Sequence, residues 1–291
     1  MGTKAKAAFQ SIWAILWRSG LFFLTWGLLL APFTVPLRPR LAEWERAFPH
    51  RVKLYGDLVG ALAMLAASWL MIRLIDRRPF LTIGLRFTHL LRDLLLGLAV
   101  GSAWLAISVG SAWAAGWLLL QPNVAVAWSN LVGEAISVFF NVLTQQLLLC
   151  GYIFQTLQVR SNPVIALLTS ALLFVSYHAG AFHGSWLPPV NVFAAGILFG
   201  LAYRSTGNLW FPIAIHFAWN YVLGPVLGLT VSGSNRLASG GQVFIPTGPA
   251  LFIGGAFGLE GGLIVTLMTI TVIIAMLLMI HQQGRWAAVT K

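Results

Sequence analysis

The sequence predicts an all-α fold, a polytopic membrane bundle of about eight transmembrane helices. Of its 291 residues, 58% are hydrophobic and only 9% are charged, and the mean hydropathy is +0.83. This composition is too apolar for a soluble domain of the same length. Apolar runs recur along the chain, and most have the roughly 17–25 residues that a helix needs to cross a bilayer.

The apolar runs give the predicted spans in order. They lie at 19–35, 57–75, 94–120, 131–157, 163–180, 189–203, 208–225 and 259–280. The fifth, sixth and seventh are short and fit central helices that their neighbours bury. Small residues repeat in the third span, at Gly97 and Gly101, and in the sixth, at Gly196 and Gly200. That spacing lets helix backbones approach closely, so we expect packing contacts there.

The distribution of positive charge predicts the orientation. The chain carries 18 lysines and arginines against 7 acidic residues, a net charge of +11. With both termini in the cytoplasm, twelve of these 18 basic residues fall on the cytoplasmic side, in the direction of the positive-inside rule. We therefore expect an integral protein of a bacterial-type plasma membrane with both termini cytoplasmic. Basic charge that flanks membrane spans argues against nucleic-acid binding.

The loop from Leu37 to Tyr55 is the exception to this bias. The six basic residues on the other side are Arg236 and five in this loop, namely Arg38, Arg40, Arg46, Arg51 and Lys53. We expect the loop to lie along a lipid surface through Trp44 and Phe48. A second outer loop is expected from Ser232 to Gly248, which is rich in Gly and Ser.

Small polar clusters interrupt three of the predicted spans. In the fourth span, Glu134, Asn141 and Gln145 share one helical face. Gln146 and Cys150 form an i,i+4 pair on a neighbouring face. Polar groups inside a membrane are costly unless a partner or internal water satisfies them, so they usually face a shared interior site.

Histidines provide the chemistry of the other two clusters. His178 lies one turn after Phe174 in the fifth span, and His216 shares a face of the seventh with Asn220. Two histidines and a side-chain amide can bind a metal or donate hydrogen bonds to an oxyanion. The alternative for each group is helix packing, at about 0.6–2 kcal/mol per contact. We assign no role to the histidines in loops and at span ends, which are His50, His89, His183 and His281.

These segments resemble the motifs of the CPBP intramembrane proteases, the CAAX prenyl protease and bacteriocin-processing family, also called Abi. That family has Glu-Glu-x-x-x-Arg on one helix, Phe-x-x-x-His on the next and His-x-x-x-Asn on a later one. Here the segments read QQLLLCGYIF at 145–154, FVSYH at 174–178 and HFAWN at 216–220. The stretches 196–233 and 254–263 are also similar to the family.

The resemblance implies a domain plan and a role for each motif position. A CAAX-protease-like core is expected at 131–265 of a single membrane domain, with N-terminal helices and loops at 1–130 and a C-terminal helix and tail at 266–291. In the family, the first Glu activates water with help from the His of the second motif, and the third motif stabilises the oxyanion. The candidate catalytic residues are therefore Gln145, His178, His216 and Asn220. The candidate supporting residues are Gln146, Cys150, Phe174 and Glu260.

This chain departs from the family at all three polar positions of the first motif. Gln145 keeps the shape of Glu but cannot accept a proton, and loss of a general base typically costs about 10²–10⁴ in rate. Gln146 and Cys150 replace the second Glu and the Arg, and losing both halves of a buried ion pair leaves no orphaned charge. The paired loss favours a natural substitution over an engineered Glu-to-Gln change at 145, which stays open as the minority alternative.

Other groups do not easily replace the missing base. Glu134 lies about 16 Å from Gln145 along a helix, and the sequence does not show whether Glu260 folds back to the site. Cys150 is disfavoured as a nucleophile, because burial makes a thiol inert. We therefore expect nothing negatively charged at the reactive depth.

The leading interpretation is a degenerate family member that binds a membrane-embedded protein, peptide or lipidated partner without cutting it. The first alternative is an active endopeptidase that uses another base, Glu260 or Glu134, so whether the chain is an enzyme stays open. The second is a carrier or channel, which the absence of paired intramembrane charges disfavours. We expect no cofactor, and a divalent metal such as zinc would bind weakly through His178 and His216.

Overall fold

The computed structural model of the protein describes residues 3–121, 128–234 and 241–284. Its helices are α1 (Thr3–Thr34), α2 (Arg38–Ala47), α3 (Pro49–Leu70), α4 (Leu90–Ala114), α5 (Trp128–Cys150), α6 (Tyr152–Arg160), α7 (Pro163–Tyr177), α8 (Leu187–Thr206), α9 (Trp210–Tyr221), α10 (Ala250–Ile253) and α11 (Leu263–Gln282). Two short strands, β1 (Leu118–Leu120) and β2 (Phe244–Pro246), pair antiparallel.

The helices form the predicted membrane bundle. In the described part of the chain, six helical segments are long and apolar enough to cross a membrane, namely those of α1, α3, α4, α5 with α6, α8 and α11. α7 is a shorter apolar helix, and α9 has 12 residues before a wider turn over Val222–Val226. These eight segments correspond in order to the eight predicted spans. The all-α polytopic fold is therefore confirmed.

Several predicted spans have different ends in the structure, and the first, for example, begins at Thr3 instead of residue 19. The span predicted at 94–120 ends as a helix at Ala114, because Gly116 turns the chain with a φ of 74° and β1 follows. The span predicted at 259–280 begins at Leu263, after a tight turn over Leu259–Gly261. After Ala114 apolar residues continue beyond the helix, so hydrophobicity alone could not mark its end.

The loop predicted over Leu37–Tyr55 is also different, since it consists of α2 and the first turns of α3. Pro39 and Pro49 each lie in the first turn of one of these helices, where the fixed φ of proline is already suitable. The loop predicted over Ser232–Gly248 contains β2. Its residues 235–240, including Arg236, lie outside the described residues. Arg285 and Lys291, which were also counted in the prediction of the orientation, lie outside them too.

Close helix contacts occur at the predicted glycines. The contacts join α4 to α9 at Gly97 and Gly101, and α8 to α7 at Gly196 and Gly200. A Cβ added to Gly101 would lie 2.5 Å from the carbonyl oxygen of Ile215. Because no side chain fits between these backbones, α4 holds the polar face of α9 in the bundle interior.

The combined α5–α6 segment is the most buried of the membrane-length segments. α5 packs against α3, α7, α8 and α9. Neighbouring residues on α5 consequently face different helices: Gln145 is directed toward α3 and Gln146 toward α9. This division determines which of the predicted site residues come together.

Candidate functional site

Four of the predicted polar residues line one buried cavity. They are His178 at the end of α7, His216 and Asn220 on α9, and Glu260 in the turn before α11. Aromatic rings enclose much of the cavity, namely those of Trp104, Phe174, Phe199 and Trp219. The interior leaves about 40 Å³ for the centres of water molecules, which is room for a few waters because about 10–15 Å³ suffices for one.

Both ring nitrogens of His216 contact side-chain amides. Nδ1 lies 3.0 Å from Nε2 of Gln146, and Nε2 lies 3.2 Å from the side-chain amide of Asn220. The Cys150 thiol donates to Oε1 of Gln146 at 3.7 Å. The Gln146 oxygen accepts from Cys150, so its nitrogen donates to Nδ1 of His216, while the Asn220 atom against Nε2 is the amide nitrogen Nδ2. Cys150 and Gln146, at the positions where the resemblance implies an Arg and a Glu, therefore form a neutral hydrogen-bond chain that ends on His216.

His178 is held by the residue that precedes it by one turn. Its Nδ1 donates to the carbonyl oxygen of Phe174 at 2.9 Å. The Phe174 ring packs edge-on against His178, with 4.5 Å between ring centroids, and against His216 at 6.1 Å. Phe174 thus fixes the orientation of one imidazole and spaces it from the other. This arrangement leaves Nε2 of His178 as the acceptor in the cavity.

Gln145 does not line this cavity. Its Nε2 donates to Oδ1 of Asn141 at 2.6 Å, and Nδ2 of Asn141 donates to Oδ1 of Asp57 at 2.9 Å. An ionised carboxylate only accepts hydrogen bonds, so Asp57 turns the Asn141 nitrogen toward itself and the Asn141 oxygen toward position 145. Position 145 must therefore supply a donor. An amide has one, and an ionised carboxylate does not.

Asp57 belongs to a charged network between α3 and α5 that the sequence analysis missed. Lys53 Nζ lies 2.9 Å from Oδ2 of Asp57 and 3.6 Å from Oε2 of Glu134. Ser137 bridges Lys53 and Asp57, and His50 lies 2.7 Å from Glu134. These pairs lie near the N-terminal ends of α3 and α5, next to the region that the sequence predicted as a loop, so the expectation of no paired charges deep within the spans stays a prediction. The i,i+4 spacing of Lys53 and Asp57 was the available sequence signal for the network.

The structure also places a carboxylate at the reactive depth, where none was expected. Glu260 lines the same cavity as the two histidines. Its Oε1 accepts from the Trp219 indole at 2.8 Å, and its Oε2 accepts from the backbone N–H and, at 3.1 Å, from the hydroxyl of Ser232. These donors anchor both oxygens to the cavity wall, and neither histidine is among the hydrogen-bond partners of Glu260. Glu134, by contrast, faces His50 and Lys53.

The fit of the site to a metal follows from the same contacts. Within residues 3–121, 128–234 and 241–284, no three His, Cys, Asp or Glu side chains are grouped as metal ligands. His216 already engages both ring nitrogens with Gln146 and Asn220. His178 alone of the two keeps a free ring nitrogen, so the residues present fit a divalent ion poorly.

Comparison with known proteins finds a family that is similar to the segment containing the three motifs. Residues 127–222 match the model of a family described as "Type II CAAX prenyl endopeptidase Rce1-like". This segment contains the three motif regions, while Glu260 lies beyond it. Searches of curated proteins and of solved structures found no match. The predicted resemblance is confirmed over residues 127–222, which are similar to the Rce1-like type II CAAX prenyl endopeptidase family.

Proposed function

We propose that the protein is a catalytically impaired relative of these endopeptidases, which binds a membrane-embedded protein, peptide or lipidated partner without cutting it. The observation that carries this proposal is the hydrogen-bond chain from Gln145 through Asn141 to Asp57. It commits the side chain at the family's water-activating position to a neighbour outside the cavity. A glutamine there also has no oxygen that can take a proton from water.

The surroundings of the cavity support a partner that arrives from the bilayer. An apolar groove between α4 and α11 adjoins the cavity, and Trp104 lines both. The Trp104 indole N–H is buried and has no acceptor among the described residues, so it is available to a carbonyl of a bound chain. Met268 and Met276 line the groove, and methionine adapts readily to irregular apolar ligands.

The impairment is tested with full-length protein in vesicles and a mixture of membrane-protein and peptide substrates, prenylated peptides included. We expect no turnover. Turnover that disappears in His216→Ala would overturn the proposal. Binding is tested separately by photo-crosslinking to the same mixture, where Trp104→Ala should reduce capture. The matched control is Trp113→Ala, which removes an exposed indole from the same helix.

An active endopeptidase is the second candidate, and the position of Glu260 favours it. A carboxylate in the cavity of His178 and His216 is the group that a water-activating site needs. To act as a base, Glu260 would have to release one oxygen from Trp219 or Ser232. In this case Glu260→Gln abolishes turnover, whereas Glu134→Gln, on the far side of α5, leaves it intact.

A carrier or channel is the third candidate. The ion pairs of Lys53 with Asp57 and Glu134 are the observation in its favour, because ionisable groups within spans often mark ion paths. Ion flux into vesicles that exceeds the flux of protein-free vesicles, and that is lost in Asp57→Asn, would favour transport over binding.

We further propose that both termini face the cytoplasm of a bacterial-type plasma membrane, and that the protein works without a resident metal. The charge bias supports the orientation, and the occupied ring nitrogens of His216 support the second statement. Reporter fusions at each terminus test the side of the membrane. Metal analysis of the purified protein, with His178→Ala as the comparison, tests the absence of a bound ion.

A further inference from the structure

Two apolar cavities follow one face of α3. The upper cavity, of about 280 Å³, is formed by α2, its junction with α3 and the first turns of α3. Its apolar lining consists of Leu37, Leu41, Trp44, Phe48, Val52 and Tyr55, and Arg51 completes it. The lower cavity, of about 230 Å³, is lined by Leu29 and Phe33 of α1 and by Val59, Leu62 and Ala66 of α3. We call the two together the α1–α3 groove.

The two cavities adjoin each other. The Tyr55 hydroxyl, in the upper lining, donates to the carbonyl oxygen of Phe33, in the lower lining, at 3.0 Å. The α3 residues of the groove recur every three or four positions from Val52 to Ala66, so they share one helical face. This face is about 21 Å long, at about 1.5 Å per residue. One leaflet of a roughly 30 Å hydrocarbon core is about 15 Å deep, so the groove can hold a whole acyl chain.

The upper end of the groove is basic. Arg51 is exposed, and its guanidinium lies 5.5 Å from the centre of the Phe48 ring. α2 adds Arg38 and Arg40, which are also exposed. Arginine at a membrane surface attracts the phosphate of anionic lipids, and the aromatic neighbours are typical of the headgroup level.

We infer that the α1–α3 groove holds one anionic phospholipid, with an acyl chain along α3 and its phosphate on Arg51. The apolar wall recognises the acyl chain, and Arg51, with Arg38 and Arg40 beside it, recognises the charge of the headgroup. A neutral lipid would cover the apolar wall but would leave the arginines at the upper end of the groove without a counter-charge. A second copy of the chain fits less well, because a two-fold contact through this face sets the same arginines against each other.

Lipid retention is measured on full-length protein in detergent by native mass spectrometry. Phosphatidylglycerol and phosphatidylcholine with identical acyl chains are the two probes. We expect preferential retention of phosphatidylglycerol, weakened about fivefold by Arg51→Gln. The matched control is Arg46→Gln, which removes the same charge from α2. Arg46 lies outside the lining and bonds the Ala42 carbonyl, so its removal should leave retention nearly unchanged.

A second pair of variants tests the groove itself. Ala66→Phe fills the lower cavity without a change of charge and should reduce lipid retention, whereas Ala114→Phe, at an exposed position on α4, should not. Glycerophosphoglycerol, the headgroup without acyl chains, should fail to compete. Equal retention of both lipids overturns the inference, and so does retention that neither Arg51→Gln nor Ala66→Phe changes. A dimer that disappears in Arg51→Gln would assign the face to a second copy instead.

Discussion

The side-chain nitrogen of Gln145 lies 2.6 Å from the side-chain oxygen of Asn141, and the nitrogen of Asn141 lies 2.9 Å from the Asp57 carboxylate. The Asp57 carboxylate only accepts hydrogen bonds, so it fixes the direction of both hydrogen bonds in this series. The side-chain nitrogen of Gln145 is therefore matched to the acceptor that Asn141 offers, whereas its Oε1 is buried without a partner among the described residues.

The first prediction concerns the return of a carboxylate to position 145. Gln145→Glu should destabilise the protein by about 1–3 kcal/mol, because the Asn141 oxygen loses its donor and faces another acceptor. Asp57→Asn should restore part of this loss in the double variant, since Asn141 can then reverse its amide. Thermal unfolding in detergent measures the four proteins of this cycle.

The control for this cycle is Gln155→Glu. Gln155 is also buried and donates to a backbone carbonyl, that of Ile83, but it has no link to Asp57. Asp57→Asn should therefore restore none of the stability that Gln155→Glu loses. Additive effects of Gln145→Glu and Asp57→Asn would contradict the proposed matching.

The second prediction concerns the pair formed by Gln146 and Cys150, both fully buried. Gln146→Glu alone should cost about 3–5 kcal/mol, because it leaves a buried charge beside a neutral imidazole with no cation to pair with it. Adding Cys150→Arg should recover much of this loss by supplying the cation one turn away. The amount of folded protein after extraction, measured by size-exclusion chromatography, ranks the stabilities of the wild type, the single variant and the double variant. A double variant less stable than Gln146→Glu would refute the idea of a paired loss.

The sequence predicted part of this site and missed part for physical reasons. His178, His216 and Asn220 share a cavity as their motifs predicted, and Phe174 supports His178 through its carbonyl and its ring. Helical spacing showed that Gln145 and Gln146 lie on neighbouring faces, but which helix covers each face depends on tertiary packing. Helical spacing therefore could not predict that Gln145 is linked to Asp57 through Asn141, or that Glu260 lines the cavity.

The third prediction concerns the close contact between α4 and α9. Gly101→Ala should destabilise the bundle by about 1–3 kcal/mol, because backbone would have to move to admit the methyl group. Gly110→Ala is the control on the same helix. No atom lies within 4 Å of its added Cβ, so the better helix propensity of Ala should leave stability equal or slightly higher. Thermal unfolding of both variants measures the difference.

The fourth prediction uses the single cysteine. The Cys150 side chain is fully buried, so a water-soluble maleimide should label it only after the protein unfolds. Ser68→Cys, at another fully buried position, is the control for buried thiols, and Ser176→Cys, at an exposed one, is the control for reagent access. Rapid labelling of folded wild-type protein would revive the rejected role of Cys150 as a nucleophile.

The fold was predictable to the level of its spans, whereas the ends of the spans were not. Apolar runs identify helices because a bilayer demands internal backbone hydrogen bonds over its whole thickness. They do not mark where Leu118–Leu120 leaves the helix to pair with Phe244–Pro246, since a strand at the membrane surface is equally apolar. Nor do they find α2, whose polar composition is typical of a loop as much as of a surface helix.

Trp104 and Trp219 face each other with 3.8 Å between ring centroids, and Trp219 also donates to Glu260. Indoles this close couple electronically, so the pair should give the protein a circular dichroism signature that isolated tryptophans lack. Trp104 lines both the cavity and the groove between α4 and α11, so a molecule that binds there should change this signature. The chain therefore contains a built-in optical reporter, which would register occupancy before any ligand had been identified.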